Sequence, residues 1–334
     1  MSLIYLGIFQ YLQKIRSFIV STLVKLSVEQ AGRPSPLMSP IVKKTGTCDM
    51  ISKSVLKDGK PSRTAETTAM LRAAHQLLDD PTVLYDPLAL RILGPTLEAD
   101  LRADPFQYND SFRRSLRGHF AIRNRFVEDE VLRGMTSGIQ QYVLLGAGLD
   151  TFAYRSPHLR KGLRVFELDH PSTQQWKRQR LAEAEIDLPE GLSFVSLDIE
   201  DGNLGRSLTE AGFDVGRPAC FSWLGVTPYL SDEAIMETLR FVVTLPRGSS
   251  ITFDFRFRSS DPVERAIDHE AQEMVSALGE PFVSIFDPSD LRRRVLAEGF
   301  GEVEAWLPQY LADRYLACRN DGLQAGSPIM CARV

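Results

Sequence analysis

Tyr142-Val143-Leu144-Leu145-Gly146-Ala147-Gly148-Leu149-Asp150-Thr151 is the stretch that decides how this chain is read. An unbroken aromatic and aliphatic run closed by two glycines predicts a strand buried on both faces, as in a parallel sheet covered by helices. Gly146 and Gly148 permit a tight turn and bring bare backbone close to a ligand, which suits a nucleotide-type cofactor. A plain tight turn fits the same two residues. The dinucleotide fingerprint asks for a third glycine three residues after the second, and Thr151 stands there instead. Asp150 carries more information, because a carboxylate beside the turn repels a pyrophosphate and attracts a cationic ligand. The loop therefore points to S-adenosylmethionine (SAM), with its sulfonium and ammonium groups, and away from NAD.

Downstream of the turn, strand and helix patterns alternate. Arg164–Asp169, Leu192–Asp198, Ala219–Leu224 and Ser250–Phe255 read as strands, and two short runs, Glu302–Leu307 and Pro328–Val334, follow. Between them lie helices over Gln174–Glu185, Asp232–Leu245 with Ser231 as N-cap, and Pro288–Glu298 stopped by Gly299. Such alternation predicts an α/β fold: a doubly wound, Rossmann-like, mostly parallel seven-stranded sheet with helices on both faces. Ligands of these sheets bind at the carboxyl ends of the strands, where Asp150, Asp169 and Asp198 fall. Asp169 is spaced to accept hydrogen bonds from a ribose diol, and Asp198 to meet an adenine amino group with Leu197 and Ile199 packing on the ring. Each acid alone reads as a cap or loop residue; after three consecutive strands, behind a glycine turn, they favour a nucleoside cofactor.

Upstream, residues 59–140 read as a helical lid. It comprises a helix over Ser62–Leu78, one opened by Asp86 and Pro87, and a long one over Ser111–Arg133. On the last, Phe112, Leu116, Phe120, Val127 and Val131 make an apolar face, and Arg113, Arg114, Arg117 and Arg125 a solvated one. Residues 1–58 form an amphipathic extension and linker. Within residues 3–28, Ile4, Ile8, Leu12, Ile15 and Ile19 share one helical face, while Lys14, Arg16 and Lys25 exclude an uncharged transmembrane span. Docking on the body or a partner subunit, contact with a membrane surface or targeting, and an unstructured extension all remain open for it. Residues 141–334 are the expected SAM-binding core.

At 334 residues, 43% hydrophobic and with a net charge of −4, the chain has ample material for a core and no basic excess for nucleic acid. Cys48, Cys220, Cys318 and Cys331 lack C-x-x-C spacing and the histidines lack H-x-x-x-H spacing, so a disulfide framework and a metal site are both unexpected. Reduced thiols of a cytoplasmic protein are the expectation.

These residues carry a resemblance that runs from about Gly59 onward. Thr64-Ala65-Glu66-Thr67-Thr68-Ala69 with Arg72-Ala73, Tyr85-Asp86-Pro87-Leu88-Ala89, Arg117 to Arg123, Leu145 to Arg155, Phe166-Glu167-Leu168-Asp169, Tyr229-Leu230 and Arg314 to Leu323 occur in order. The chain resembles the class I SAM-dependent methyltransferases of the leucine carboxyl methyltransferase-like superfamily, which includes polyketide and other small-molecule O-methyltransferases. The resemblance implies that Arg123 pairs with the methionine carboxylate, for which a planar guanidinium is suited. It further implies that Gly146 lines the methionine part, Asp169 the ribose, and Asp198 with Ile199 the adenine. Thr67, Thr68 and Arg72 become candidate contacts from the lid. Two positions depart from the pattern: Leu224 stands where many relatives have glutamate, and His119 where tyrosine is frequent.

Methyl transfer from a sulfonium is an in-line displacement, so positioning of the acceptor oxygen is the main task. A carboxylate acceptor is already ionised at neutral pH, whereas a phenol gains from a base or a cation beside it. Tyr229, just beyond the fourth strand, is the candidate catalytic residue; no spacing singles out His119, His170 or His269. The expected activity is SAM-dependent O-methylation of a hydroxyl or carboxyl oxygen on a small-molecule acceptor. The alternatives are a protein C-terminal carboxyl methyltransferase, an NAD(P)-dependent oxidoreductase built on the glycine pair, and a non-catalytic module suggested by the apolar N-terminal segment and Leu224.

Overall fold

A computed structural model describes residues 62–260 and 262–334. The expected extension and linker, including residues 3–28, lie outside them. All seven stretches read as strands are strands: β1 (Gln141–Leu145), β2 (Arg164–Asp169), β3 (Leu192–Ser196), β4 (Cys220–Trp223), β5 (Ser250–Asp254), β6 (Glu302–Trp306) and β7 (Ile329–Arg333). They form one sheet in the order β3-β2-β1-β4-β5-β7-β6. β1 to β5 run parallel and β7 is antiparallel to both β5 and β6. Strand order reverses between β1 and β4, which is where a doubly wound sheet opens its ligand crevice.

Period-two geometry explains why β1 is apolar from Tyr142 to Leu145. Val143 and Leu145 enter one core with Phe166, Phe221, Trp223 and Phe253, while Tyr142 and Leu144 enter another with Val165, Cys220 and Phe152. Both faces are covered, so every β1 residue is buried.

The helix Arg63–Leu78 starts where the sequence places it, with the Ser62 hydroxyl accepting from the Ala65 amide at 3.1 Å. Pro171–Glu183 begins a turn earlier than the expected Gln174, because His170 caps it from outside and Pro171 takes the first helical position. No α-helix opens at Asp86. Its Oδ1 accepts from the Leu88 amide at 3.1 Å in a turn, and its Oδ2 is held by Arg72 at 2.9 Å. Asp86 is therefore a buried ion-pair hub and not a helix cap.

The long helix, Ser111–Thr136, departs from its expected faces. Arg117 is buried and grips Asp79 bidentately, Nη2 to Oδ1 at 2.7 Å and Nε to Oδ2 at 3.0 Å. Ala121, Ile122 and Phe126 are its most deeply buried apolar residues, whereas Phe112, Leu116 and Phe120 look into a cavity. Of the helices that the periodicity did not reveal, Pro95–Ala103, Pro262–Ala277 and Pro308–Tyr315 each begin with proline.

Candidate cofactor and acceptor site

A cavity of about 1110 Å³ lies over the carboxyl ends of the parallel strands and beneath the helices that precede the sheet. Every site residue proposed from the sequence lines it: Thr67, Arg72, Arg123, Gly146, Gly148, Asp150, Asp169, Asp198, Ile199 and Tyr229. Residues after β1, β2 and β3 wall one half; residues after β4 and β5 wall the other.

The first half is built on the glycine turn. The Gly146 and Ala147 amides donate to the Leu168 carbonyl at 2.9 and 2.8 Å, bending the chain off β1 against the end of β2. Gly146 has φ +71°, and a Cβ there would run into Val226, so only glycine fits. Asp169 holds the turn from beneath, with Oδ2 accepting from the Gly148 amide at 2.6 Å and Oδ1 from His170 N at 2.8 Å. Burial pushes the Asp169 pKa up, against the pull of those two N–H groups. Asp150 Oδ1 accepts from the Phe152 amide at 2.7 Å and Asp198 Oδ1 from the Glu200 amide at 3.1 Å. All three acids thus serve as turn or cap residues and line the cavity at the same time.

Thr151, which takes the place of a third glycine, donates its hydroxyl to Asp86 Oδ2 at 2.6 Å. Arg72 completes this cluster, with Nη2 donating to the Leu149 carbonyl at 2.5 Å. Its donors therefore clamp the helix Arg63–Leu78 onto the glycine turn. Thr67 bonds within its own helix, Oγ1 donating to the Arg63 carbonyl at 3.2 Å.

The second half centres on Arg123. Its Nη1 pairs with Asp254 Oδ2 at 2.7 Å, Asp254 Oδ1 accepts from the Gly225 amide at 2.7 Å, and the guanidinium lies 4.5 Å from the Phe120 ring centroid. Gly225 has φ +70°, and a Cβ there would sit 2.8 Å from Arg123 Nη2. Arg123 Nε is buried with no hydrogen-bond partner among the described residues. A buried charged donor without an acceptor is costly, and a ligand carboxylate is a natural partner.

Neither His119 nor Tyr229 is set up as a base. Burial first, then the Arg123 charge, lowers the His119 pKa to about 4. Its Nδ1 lies 3.2 Å from the Ser327 amide and 3.1 Å from the Ala325 carbonyl. Its Nε2 lies 3.7 Å from Asp254 Oδ2, beyond hydrogen-bond distance. Burial raises the Tyr229 pKa, so it stays a protonated phenol at neutral pH. Of the other histidines, His170 caps its helix at the cavity edge, and His269 is exposed beside Glu273.

Several cavity residues were not found from the sequence. Asp254 ends β5 as Asp169 ends β2, so the rule that located the other acids reaches it too. Glu128, paired with Arg155 and with its pKa raised by burial, has only its place on a long helix to mark it. Glu280 follows the unread helix Pro262–Ala277 and has no local pattern. Leu224 lines the cavity and packs with the cluster around Tyr142 and Leu144.

With this geometry in place, comparison with known proteins is decisive. The family model described as leucine carboxyl methyltransferase matches residues 65–243, from the helix clamped onto the glycine turn to the end of the helix after Tyr229. The chain belongs to the leucine carboxyl methyltransferase family. It is a SAM-dependent methyltransferase, and SAM is its cofactor; the oxidoreductase and non-catalytic readings fall away. It is 28% identical over 294 residues to YktD of Bacillus subtilis (strain 168), named for SAM-dependent methyl transfer, covering 81% of this chain and 96% of that one. A similarly named protein of Mycolicibacterium paratuberculosis is 33% identical over 189 residues, 52% of this chain and 59% of that protein. Among solved structures, a DUF574 family protein of Streptomyces avermitilis aligns with TM-score 0.50 at 18% identity, over 83% of this chain and 98% of that one. A Thermobifida fusca protein titled as a methyltransferase gives TM-score 0.51 at 17% identity, over 83% and 96%. These two show the shared fold.

Among the described residues, no group of histidine, cysteine, aspartate or glutamate side chains is arranged to hold a metal ion. Cys220, Cys318 and Cys331 are free thiols. No described helix is long and apolar enough to cross a membrane.

Proposed function

We propose that this methyltransferase transfers the methyl group of SAM to a hydroxyl or carboxyl oxygen of a small, largely apolar organic acceptor. The observation that carries the cofactor side of this reading is the buried, unpartnered Nε of Arg123, on a guanidinium already fixed by Asp254. Arg123 would hold the methionine carboxylate and Asp150 the ammonium group. Asp169 would take the ribose, and Asp198 with Ile199 the adenine. When bound, SAM supplies an electrophilic methyl on a sulfonium centre.

The acceptor side rests on the β4–β5 half of the cavity. Phe112, Leu116, Phe120 and Phe282 line it, and its charges are largely paired internally: Arg256 with Asp268 at 2.5 Å and Asp254 with Arg123. Such walls favour an apolar body over a polar peptide tail. Because His119 is neutral and weakly basic, and Tyr229 is a protonated phenol, these residues position an acceptor oxygen and do not ionise it. That suits an acceptor ionised in solution, a carboxylate or an acidic phenol.

Titration calorimetry with S-adenosylhomocysteine tests the cofactor half: wild type binds and Arg123→Ala loses binding at least tenfold. Methyl-labelled SAM with a panel of aromatic carboxylates, phenols and C-terminal peptides tests the acceptor half. Label found only in the peptides would overturn the small-molecule reading.

A further inference from the structure

The start of the helix Arg63–Leu78 is fastened across the mouth of the cavity by a residue 216 positions away. Glu280 Oε1 accepts from the Arg63 amide at 2.8 Å, and Oε2 accepts from the Thr64 amide at 3.3 Å, the Thr64 hydroxyl at 2.6 Å and the Ser62 hydroxyl at 3.2 Å. One carboxylate thus satisfies two backbone N–H groups at a helix N-terminus, where negative charge is favoured, together with two hydroxyls. On the opposite side the Ser62 amide donates to Thr173 Oγ1 at 3.2 Å, in the helix that follows β2. Between these anchors the chain rests on the glycine turn: a Cβ built on Gly148 would lie 3.4 Å from the Ala65 methyl. Ser62, Thr64, Ala65, Thr173 and Glu280 all line the cavity.

We infer that Glu280 is a positioning residue that latches residues 62–65 over bound SAM, so that its carboxylate sets how long the cofactor stays enclosed. The inference rests on the cofactor reading above. Residues 62–65 span from Thr173 on the β2 side to Glu280 beyond β5, so exchange of a ligand seated on the glycine turn requires this segment to lift. Lifting exposes the Arg63 and Thr64 amides and leaves a buried carboxylate without its donors, so the latch is cooperative.

The test is the release rate of tritiated S-adenosylhomocysteine from the full chain, chased with unlabelled ligand at a temperature where all variants are folded. Glu280→Ala should release at least tenfold faster than wild type. Glu280→Gln, which keeps one acceptor oxygen, should be about threefold faster. Thr64→Val, which loses the hydroxyl and keeps the amide, should stay within threefold of wild type. The shift in melting temperature caused by S-adenosylhomocysteine should shrink in Glu280→Ala, an effect that general loss of stability does not produce. Hydrogen exchange on wild type covers the case in which the alanine variant does not fold: the Arg63 and Thr64 amides should be protected on ligand binding. Absence of binding by wild type overturns the cofactor reading. Binding with unchanged release in Glu280→Ala and Glu280→Gln, or ligand-independent exchange at Arg63 and Thr64, overturns the latch alone.

Discussion

His119 is buried beside Arg123 and held neutral, and this has a consequence for stability as well as for catalysis. Its pKa in the folded protein, about 4, lies below the unfolded value of 6.5. Between those two pH values the unfolded chain binds more protons, so stability is full above pH 6.5 and falls as pH drops toward 4, by at most about 3 kcal/mol. Urea unfolding of wild type and His119→Asn across that range should show a shallower pH slope in the variant. Asp169 offers a second test. Asn in its place turns an amide toward either the Gly148 or the His170 N–H, so the turn should loosen and S-adenosylhomocysteine affinity drop by tenfold or more in calorimetry. Asp169 was legible because strand, glycine turn and acid follow one another at the right spacing. The same rule reaches Asp254 at the end of β5, but its pairing with Arg123 is not legible, since the two lie 131 residues apart and meet only where the long helix packs against β5.

Elements with strong local signals were read correctly. Apolar runs bounded by turn residues mark the strands of this covered sheet, with β1, β4 and β5 buried at every position, and Ser62 and Ser231 cap their helices as their positions suggest. Errors arose where tertiary charge pairing overrode local preference. Asp86-Pro87 has the chemistry of a helix start, yet Arg72, Thr151 and Arg155 claim the carboxylate for the clamp between lid and turn. Arg117 has the periodicity of a solvated residue, yet Asp79 draws it inside. Burial raises the Asp79 pKa, but the bonds from His75 and Arg117 outweigh it and hold the carboxyl below its ordinary range. Asp86→Ala should cost about 3 kcal/mol or more in chemical denaturation, because it strands the Arg72 guanidinium in the interior. The mirror change, Arg72→Met, should cost less in stability than Asp86→Ala if the shape is kept, while weakening the hold of the lid on the turn.

At the scale of the whole molecule, the cofactor and acceptor halves are contributed by different parts of one sheet, with the lid closing on both. Binding of S-adenosylhomocysteine at a hundredfold excess over its dissociation constant should add about 2.7 kcal/mol to unfolding. Amide protection should rise together at Gly148 and at Arg63, since the two are in one closed unit. The placement of β7 has a further consequence. This strand, Ile329–Arg333, is inserted between β5 and β6, and the segment before it, Leu323 to Ser327, forms part of the cavity wall against His119. During synthesis the glycine turn, Arg123 and Asp254 all emerge from the ribosome well before the strand that joins β6 to the sheet. Among the described residues β6 pairs only with β7, so β6 has no place in the sheet and the acceptor wall is incomplete unless residues 323–333 are seated. Completion of the acceptor wall is thus tied to the docking of β7, so a change that unseats this strand should free β6 and open the pocket together.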